Sequence, residues 1–276
     1  MPRVQLRGNT THYQQLGQGS DIVLIHGLFC SIAFWWFWVA PKLAETHRVT
    51  AMDLRGHGFS GLTPDRYRAR DMAEDVLALL DHLEIQRAHI VGHSFGGAVA
   101  AALAAAHPDR VHRLSLADAW LPSLQDAPLL TAQGEWSGLQ KRLADQGVSA
   151  EPDMPLVVRG FFEEVLDSPE GAVSGTGMMG FPGQGGGRAM KRWKQLMALP
   201  TAKAEIHDPA GLDPDALQRI EVPVRLVYGS RSRFLPTRDR LAEILPEHES
   251  LLLPGAGHFF PLLRPAAFVA SLDAVA

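Results

Sequence analysis

The stretch Gly92-His93-Ser94-Phe95-Gly96 constrains this chain more than any other. It sets a serine between two glycines, after the apolar run Ala88-His89-Ile90-Val91 and before the small-residue run from Ala98 to Ala106. A serine at a sharp strand-to-helix turn needs small neighbours, because a side chain at either glycine would collide with the tightly folded backbone. The spacing by itself recurs in many loops. The buried-type strand before it and the helix-length alanine run after it are the context such a turn requires. A turn of this kind lifts the hydroxyl to the top of a sheet, where it is placed to attack an acyl carbon.

The rest of the chain alternates strand and helix patterns. Strands are expected at residues 4–6, 11–15, 21–26, 48–52, 87–92, 111–117, 222–229 and 249–253. The middle ones are continuous apolar runs, as strands covered on both faces by helices should be. Helices are expected at 33–44, 71–83, 95–106, 236–245 and 265–275. In the second of these, Asp71 and Glu74 stand three apart as a capping pair would, and Met72, Val76, Leu79, Leu80 and Leu83 repeat along one face. The 95–106 segment is apolar nearly all round and is expected to lie buried against the sheet.

The alternation stops after Ala117. From Leu121 to Asp215 no strand alternates with a helix, and Trp136, Phe161, Phe162, Met178, Met179, Trp193 and Met197 are spread among helix-length segments and a glycine-rich loop. The expected architecture is a mostly parallel, doubly wound α/β sheet of eight strands. Residues 1–120 and 216–276 form its core, and residues 121–215 form a helical cap inserted after the sixth strand, over the sheet's carboxyl edge.

Composition excludes several classes. The chain has 26 basic and 30 acidic residues with no clustered Lys/Arg stripe, so nucleic acid is not an expected partner. No apolar run approaches the ~18 residues of a membrane span, and the first residues lack the apolar stretch of a secretory signal. Cys30 is the only cysteine; with no internal disulfide to form, a cytoplasmic location is expected. Residues 175–180 satisfy a dinucleotide fingerprint letter by letter, but they follow no strand and open no clear helix. Residues 183–188 lack the lysine and hydroxyl residue of a phosphate loop. No His/Cys/Asp/Glu cluster has metal-ligand spacing, and neither metal nor cofactor is expected.

Three further motifs accompany the serine turn: His26-Gly27 after the third strand, Asp53-Leu54-Arg55-Gly56-His57-Gly58 after the fourth, and Gly255-Ala256-Gly257-His258 after the last. In this order and at these spacings the chain resembles the α/β-hydrolase family across its whole core. The chemistry is consistent with that. A serine hydroxyl is a poor nucleophile at neutral pH and needs a base that takes its proton and returns it to the leaving group, and histidine suits both steps. Of the 12 histidines, His258 is the candidate base. His47, His82, His107, His112, His207 and His248 read as surface residues, His12 and His89 as structural ones, His26 and His57 as organisers of tight turns, and His93 as pinned beside Ser94 and facing away. A tetrahedral intermediate needs two backbone donors. Phe95 supplies one, and the resemblance implies Leu28 for the other.

The third member departs from the family pattern. The usual acid follows the penultimate core strand, and in Gly229-Ser230-Arg231-Ser232-Arg233-Phe234-Leu235-Pro236 the glycine and proline are kept while Ser232 stands where the aspartate belongs. Some relatives take the acid from the end of the strand after the nucleophile helix, where this chain has Asp118. Asp118 is the favoured acid. The alternative is that the acid is absent and Ser232 or a water orients His258. In the aromatic block 34–38, Trp36 and Phe37 are expected in the core, with Phe34, Trp35 and Trp38 as candidates to line a substrate pocket.

The expected function is a serine hydrolase that cleaves an ester or thioester of an apolar acyl, aromatic or carrier-linked substrate through an acyl-enzyme, with Ser94, His258 and Asp118 as triad. The alternatives are a cofactor-free lyase, C–C hydrolase or oxygenase on the same fold, and a member that only binds its ligand.

Overall fold

A computed structural model of the chain describes residues 2–125, 137–145, 156–167 and 186–273. Its strands are β1 (Arg3–Leu6), β2 (Asn9–Leu16), β3 (Ser20–Ile25), β4 (His47–Met52), β5 (Ala88–His93), β6 (Val111–Ala117), β7 (Val224–Gly229) and β8 (His248–Leu253). They form one sheet in the order β1-β2-β4-β3-β5-β6-β7-β8. The pairs β1–β2 and β2–β4 are antiparallel and the other five are parallel. Every residue of β5 and β7 is buried, which is why their sequences lack an in–out alternation. All eight expected strands are present. β7 begins at Val224 rather than Val222, because Pro223 has no N–H to offer a ladder.

The helices among the described residues are α1 (Ala33–Trp36), α2 (Ala40–Leu43), α3 (Ala69–His82), α4 (Phe95–Ala106), α5 (Ser137–Asp145), α6 (Leu156–Asp167), α7 (Gly186–Met197), α8 (Ala202–Ile206), α9 (Pro214–Gln218), α10 (Leu235–Ile244), α11 (Phe260–Leu263) and α12 (Pro265–Asp273). α3 turns Met72, Ala73, Val76, Leu79 and Leu80 inward, while α4 is buried from Phe95 through Ala104 between the sheet and α3. Alanine is what permits that closeness, since longer side chains would hold helix and sheet apart.

Two local expectations fail. The segment 33–44 is not one helix: Pro41 lacks an amide hydrogen and crowds the preceding turn, so it sits in the first turn of α2 and the chain breaks after Trp36. The break redirects the aromatic block. Phe34 and Trp35 are fully buried, Trp36 is half-buried, and Phe37 and Trp38 are 49% and 48% exposed. Phe34 stacks on His93 at 4.5 Å and Trp35 on Phe268 at 5.7 Å, so these two pack in the core, and Phe37 is not core. The Asp71–Glu74 capping pair does not form either. α3 starts two residues earlier than expected, behind Arg68 in an extended conformation with no side-chain cap.

Helices α5 to α9 lie between β6 and β7, as the break in alternation implies. They pack over loops that follow the carboxyl ends of strands. Trp193 of α7 meets Phe29, after β3, at 5.3 Å and His57, after β4, at 6.5 Å. Phe161 of α6 meets Phe259, after β8, at 5.1 Å. Trp136, Met178, Met179, residues 175–180 and residues 183–185 lie outside the described residues. Among the described residues no helix is long and apolar enough to cross a membrane.

The turn after β4 is tied down electrostatically. Arg55 donates to both oxygens of Asp75 on α3 at 2.8 and 2.7 Å, and the side chains of both are buried. Removing the carboxylate would leave a buried guanidinium uncompensated. Asp75→Ala is therefore expected to lower the free energy of unfolding by about 3–5 kcal/mol in a denaturant titration. Glu243→Ala, which breaks the exposed Arg240–Glu243 pair, should change it by less than about 1 kcal/mol.

Candidate active site

Ser94 sits between the end of β5 and the first residue of α4 with φ 55° and ψ −125°, the strained backbone that a strand-to-helix elbow forces on a non-glycine residue. The flanking glycines are required by contact. A Cβ on Gly92 would lie 2.3 Å from the carbonyl oxygen of Gly96, and one on Gly96 would lie 2.4 Å from that of Ile25. The Ser94 carbonyl accepts from Gly97 and Trp120, and its amide donates to Ala117, so the elbow is held from β6 as well as from its own helix.

The loop after β3 passes close beside it. A Cβ on Gly27 would stand 2.8 Å from Ser94 Cβ. His26 fixes this loop: Nδ1 donates to the Gly27 carbonyl (2.7 Å) and Nε2 accepts from the Leu54 amide (3.1 Å). Asp53 ties the same two loops from beneath, accepting from His12 Nδ1 (2.6 Å), the Ile32 amide (2.7 Å) and the Phe59 amide (2.8 Å). His12, His26 and His57 are thus structural residues in this fold, as their positions imply. The Leu28 amide belongs to this braced loop, and the Phe95 amide is the first of α4, where no intrahelical acceptor exists.

His258 follows β8 and is buried. Its Nδ1 lies 2.7 Å from Asp118 Oδ2. With the proton on Nδ1 donated to the carboxylate, Nε2 keeps its lone pair, and it is buried with no hydrogen-bond partner in this structure. The ring is wedged by Phe234 (centroids 4.6 Å), Phe259 (4.7 Å) and His93 (4.6 Å), and the Nε2–H of His93 donates to the His258 carbonyl at 3.0 Å. His93 is thereby turned from the serine toward the backbone that carries His258.

Asp118 closes β6 with φ 46° and is fully buried. Its Oδ1 accepts from the Gly229 amide at 2.9 Å, and its Oδ2 accepts from the Ser232 hydroxyl as well as from His258. Ser232, in the slot where an aspartate was looked for, spends its hydroxyl proton on the aspartate one strand away and takes the Phe234 amide on its lone pair at 3.0 Å. The sequence left open an acid at Asp118 or orientation of His258 by Ser232 or a water; in the structure the imidazole bonds Asp118, and Ser232 bonds the same carboxylate. Sequence reading missed that second bond. The retained Gly229 and Pro236 around a hydroxyl residue were the available signal.

Burial raises the Asp118 carboxyl to about 8, opposed by the hydrogen bonds from Ser232 and Gly229. Burial likewise lowers His258 to about 3, and Arg233 adds to the fall. The two groups share one hydrogen bond and titrate as a pair, with the imidazole neutral and able to accept a proton. A cavity of about 500 Å³ adjoins the acid end of this pair, bordered by Ser232, Glu164 and Gly257, and does not reach the serine. A hydrogen bond to the charged form of an acid is worth about one pKa unit or more. Ser232→Ala should accordingly raise the titration midpoint of Asp118 by about one unit, followed through its carboxyl carbon by NMR.

Comparison with known proteins agrees with this fold. A family model described as alpha/beta hydrolase fold matches residues 22–149. The dihydrolipoyllysine-residue acetyltransferase component of the acetoin cleaving system of Pseudomonas putida is 32% identical over 262 residues, 93% of this chain but 64% of that protein, so the chain spans under two thirds of its length. The pimeloyl-[acyl-carrier protein] methyl ester esterase of Aeromonas hydrophila is 28% identical over 268 residues, covering 94% of this chain and 96% of the relative. Among solved structures, a meta-cleavage product hydrolase of Pseudomonas fluorescens superposes with a TM-score of 0.72 at 22% identity, over 99% of this chain and 96% of that one.

Proposed function

This chain belongs to the α/β-hydrolase fold superfamily, and within it we propose a serine hydrolase that cleaves a carboxyl ester or thioester through an acyl-enzyme. Ser94 attacks the carbonyl carbon, and His258 Nε2 takes the hydroxyl proton as the C–O bond forms. The Asp118 carboxylate holds the Nδ1 proton and balances the imidazolium that results. The amides of Leu28 and Phe95 receive the oxyanion, and collapse of the tetrahedral intermediate expels the alcohol or thiol, which leaves with the proton from His258. Water then repeats the sequence on the acyl-enzyme and restores Ser94.

The observation that most supports this reading is positional: His258, with Nδ1 2.7 Å from the buried Asp118 carboxylate and Nε2 without a hydrogen-bond partner, follows β8 on the sheet edge where Ser94 follows β5. His12 makes the same kind of pair with Asp53 and also leaves Nε2 unpartnered, but it does so from within β2 and not from that edge. The name of the Aeromonas relative, an esterase of a carrier-linked acyl chain, supports an ester or carrier-linked thioester as substrate class. The apolar residues that α6 and α7 bring down over the strand ends, Phe161 and Trp193, suit an apolar acyl or aromatic group. On the same reading, residues 1–120 and 216–276 are the catalytic core and 121–215 the cap that selects the substrate.

A fluorophosphonate probe should label Ser94 in folded protein, and Ser94→Ala should lose hydrolysis of a short-chain nitrophenyl ester by at least about 10⁴-fold. Labelling elsewhere, or none, would turn the assignment toward cofactor-free proton abstraction by His258 or toward ligand binding alone. Asp118→Asn should lower kcat about 10⁴-fold through the wrong imidazole tautomer; near-normal turnover would remove Asp118 from the triad. The pH profile has a definite sign. The carboxylate raised to about 8 is neutral below that value and charged above it. Ester hydrolysis should therefore climb as pH rises toward 8, and in Ser232→Ala the same limb should lie at higher pH.

A further inference from the structure

The loop that carries His258 is held from the cap by a group that the chemistry described so far does not use. Glu164, on α6, accepts the amide of His258 on Oε1 at 2.7 Å and the amide of Phe259 on Oε2 at 2.8 Å. Two successive backbone donors converging on one carboxylate form a charge-assisted pair of bonds, stronger than ordinary amide–carbonyl ones. Gly257 makes room for it: a Cβ there would stand 2.5 Å from the Glu164 carboxyl carbon and 2.6 Å from Oε2. Phe161, one turn earlier on α6, packs on Phe259 and seats the helix over the same loop. Burial raises the Glu164 carboxyl to about 7, with the two amides and Arg233 opposing and Asp118 adding to the rise.

We propose that Glu164 is a positioning residue for the base, a clamp through which the cap fixes the backbone of His258 and so sets the line from Nε2 to Ser94. The proposal rests on the reading of His258 as general base. Asp118 holds the ring at Nδ1 and His93 holds the His258 carbonyl, whereas the amides of His258 and Phe259 are held from α6. These two amide bonds complete the hold on the loop, and they exist only while α6 is seated. Base placement is thereby coupled to cap closure.

The test uses nitrophenyl ester hydrolysis by Glu164→Ala and by the isosteric Glu164→Gln, in which an amide NH₂ faces a backbone N–H. A displacement of the base by about 1 Å costs up to about 10²-fold. In both variants kcat should fall about 10- to 100-fold with KM within about threefold of the parent, at unchanged melting temperature. Added formate should recover much of the lost kcat in Glu164→Ala and do nothing to the parent protein, since the adjoining cavity of about 500 Å³ gives a small carboxylate access to the vacated position. Gly257→Ala, which displaces the carboxylate sterically, should match Glu164→Ala and add nothing to it in the double variant. Parental kcat in Glu164→Gln, a loss confined to KM, or no recovery with formate would each overturn the clamp. His258→Ala separates the two levels: parental turnover there defeats the base assignment itself, whereas loss there with intact Glu164 variants defeats the clamp alone.

Discussion

A carboxylate shut away from water is among the more costly things a fold can contain, and Asp118 is fully buried at the carboxyl end of β6. It persists because three partners from two other strand ends meet it: the Gly229 amide and the Ser232 hydroxyl after β7, and the His258 imidazole after β8. Removing a partner would leave a buried polar group unsatisfied, so the three loops are bound to one arrangement by the hydrogen bonds they share. The parallel order β5-β6-β7-β8 makes the meeting possible, since it ends all four strands on one edge of the sheet. Ser94 at the end of β5 then stands on the same edge without any further device.

A second buried carboxylate, Asp53, does for the loops after β3 and β4 what Asp118 does for the loops after β7 and β8. It draws together β2, the loop after β3 and the turn after β4 through His12, Ile32 and Phe59. The loop bearing the Leu28 amide is thus tied by hydrogen bonds independent of Asp118 and His258. Helix α6 supplies a third constraint, where Glu164 accepts the backbone amide of His258. Each element of the site is braced from outside itself, which is what preorganised catalysis demands of a scaffold.

Much of this was legible in the chain. Fully apolar strand runs and the all-apolar helix at 95–106 announce a sheet covered on both faces, and both lie where expected. Gly92 and Gly96 announce a turn that tolerates no side chain, and the contacts of 2.3 and 2.4 Å show why. The misreadings share one cause: they required knowledge of direction. The 34–38 block was read as though helical periodicity continued through Pro41, and its break sends Phe37 to solvent and Phe34 to the core. Asp71 and Glu74 have the spacing of a cap, yet α3 had already begun at Ala69.

By itself the amino-acid order determined the class of fold, the elbow serine and the histidine after the last strand, because local sterics and hydrophobic period act over a few residues and leave their mark in composition and spacing. Which carboxylate meets that histidine, and what becomes of the serine in the customary acid position, were decided only when β6, β7 and β8 were laid side by side. Asp118 and Ser232 are separated by 114 residues and joined by one hydrogen bond. Glu164 and His258 are 94 apart and meet through a backbone amide that has no sequence identity to read. Long-range pairing of this kind is set by burial and strand order, and no local pattern encodes it.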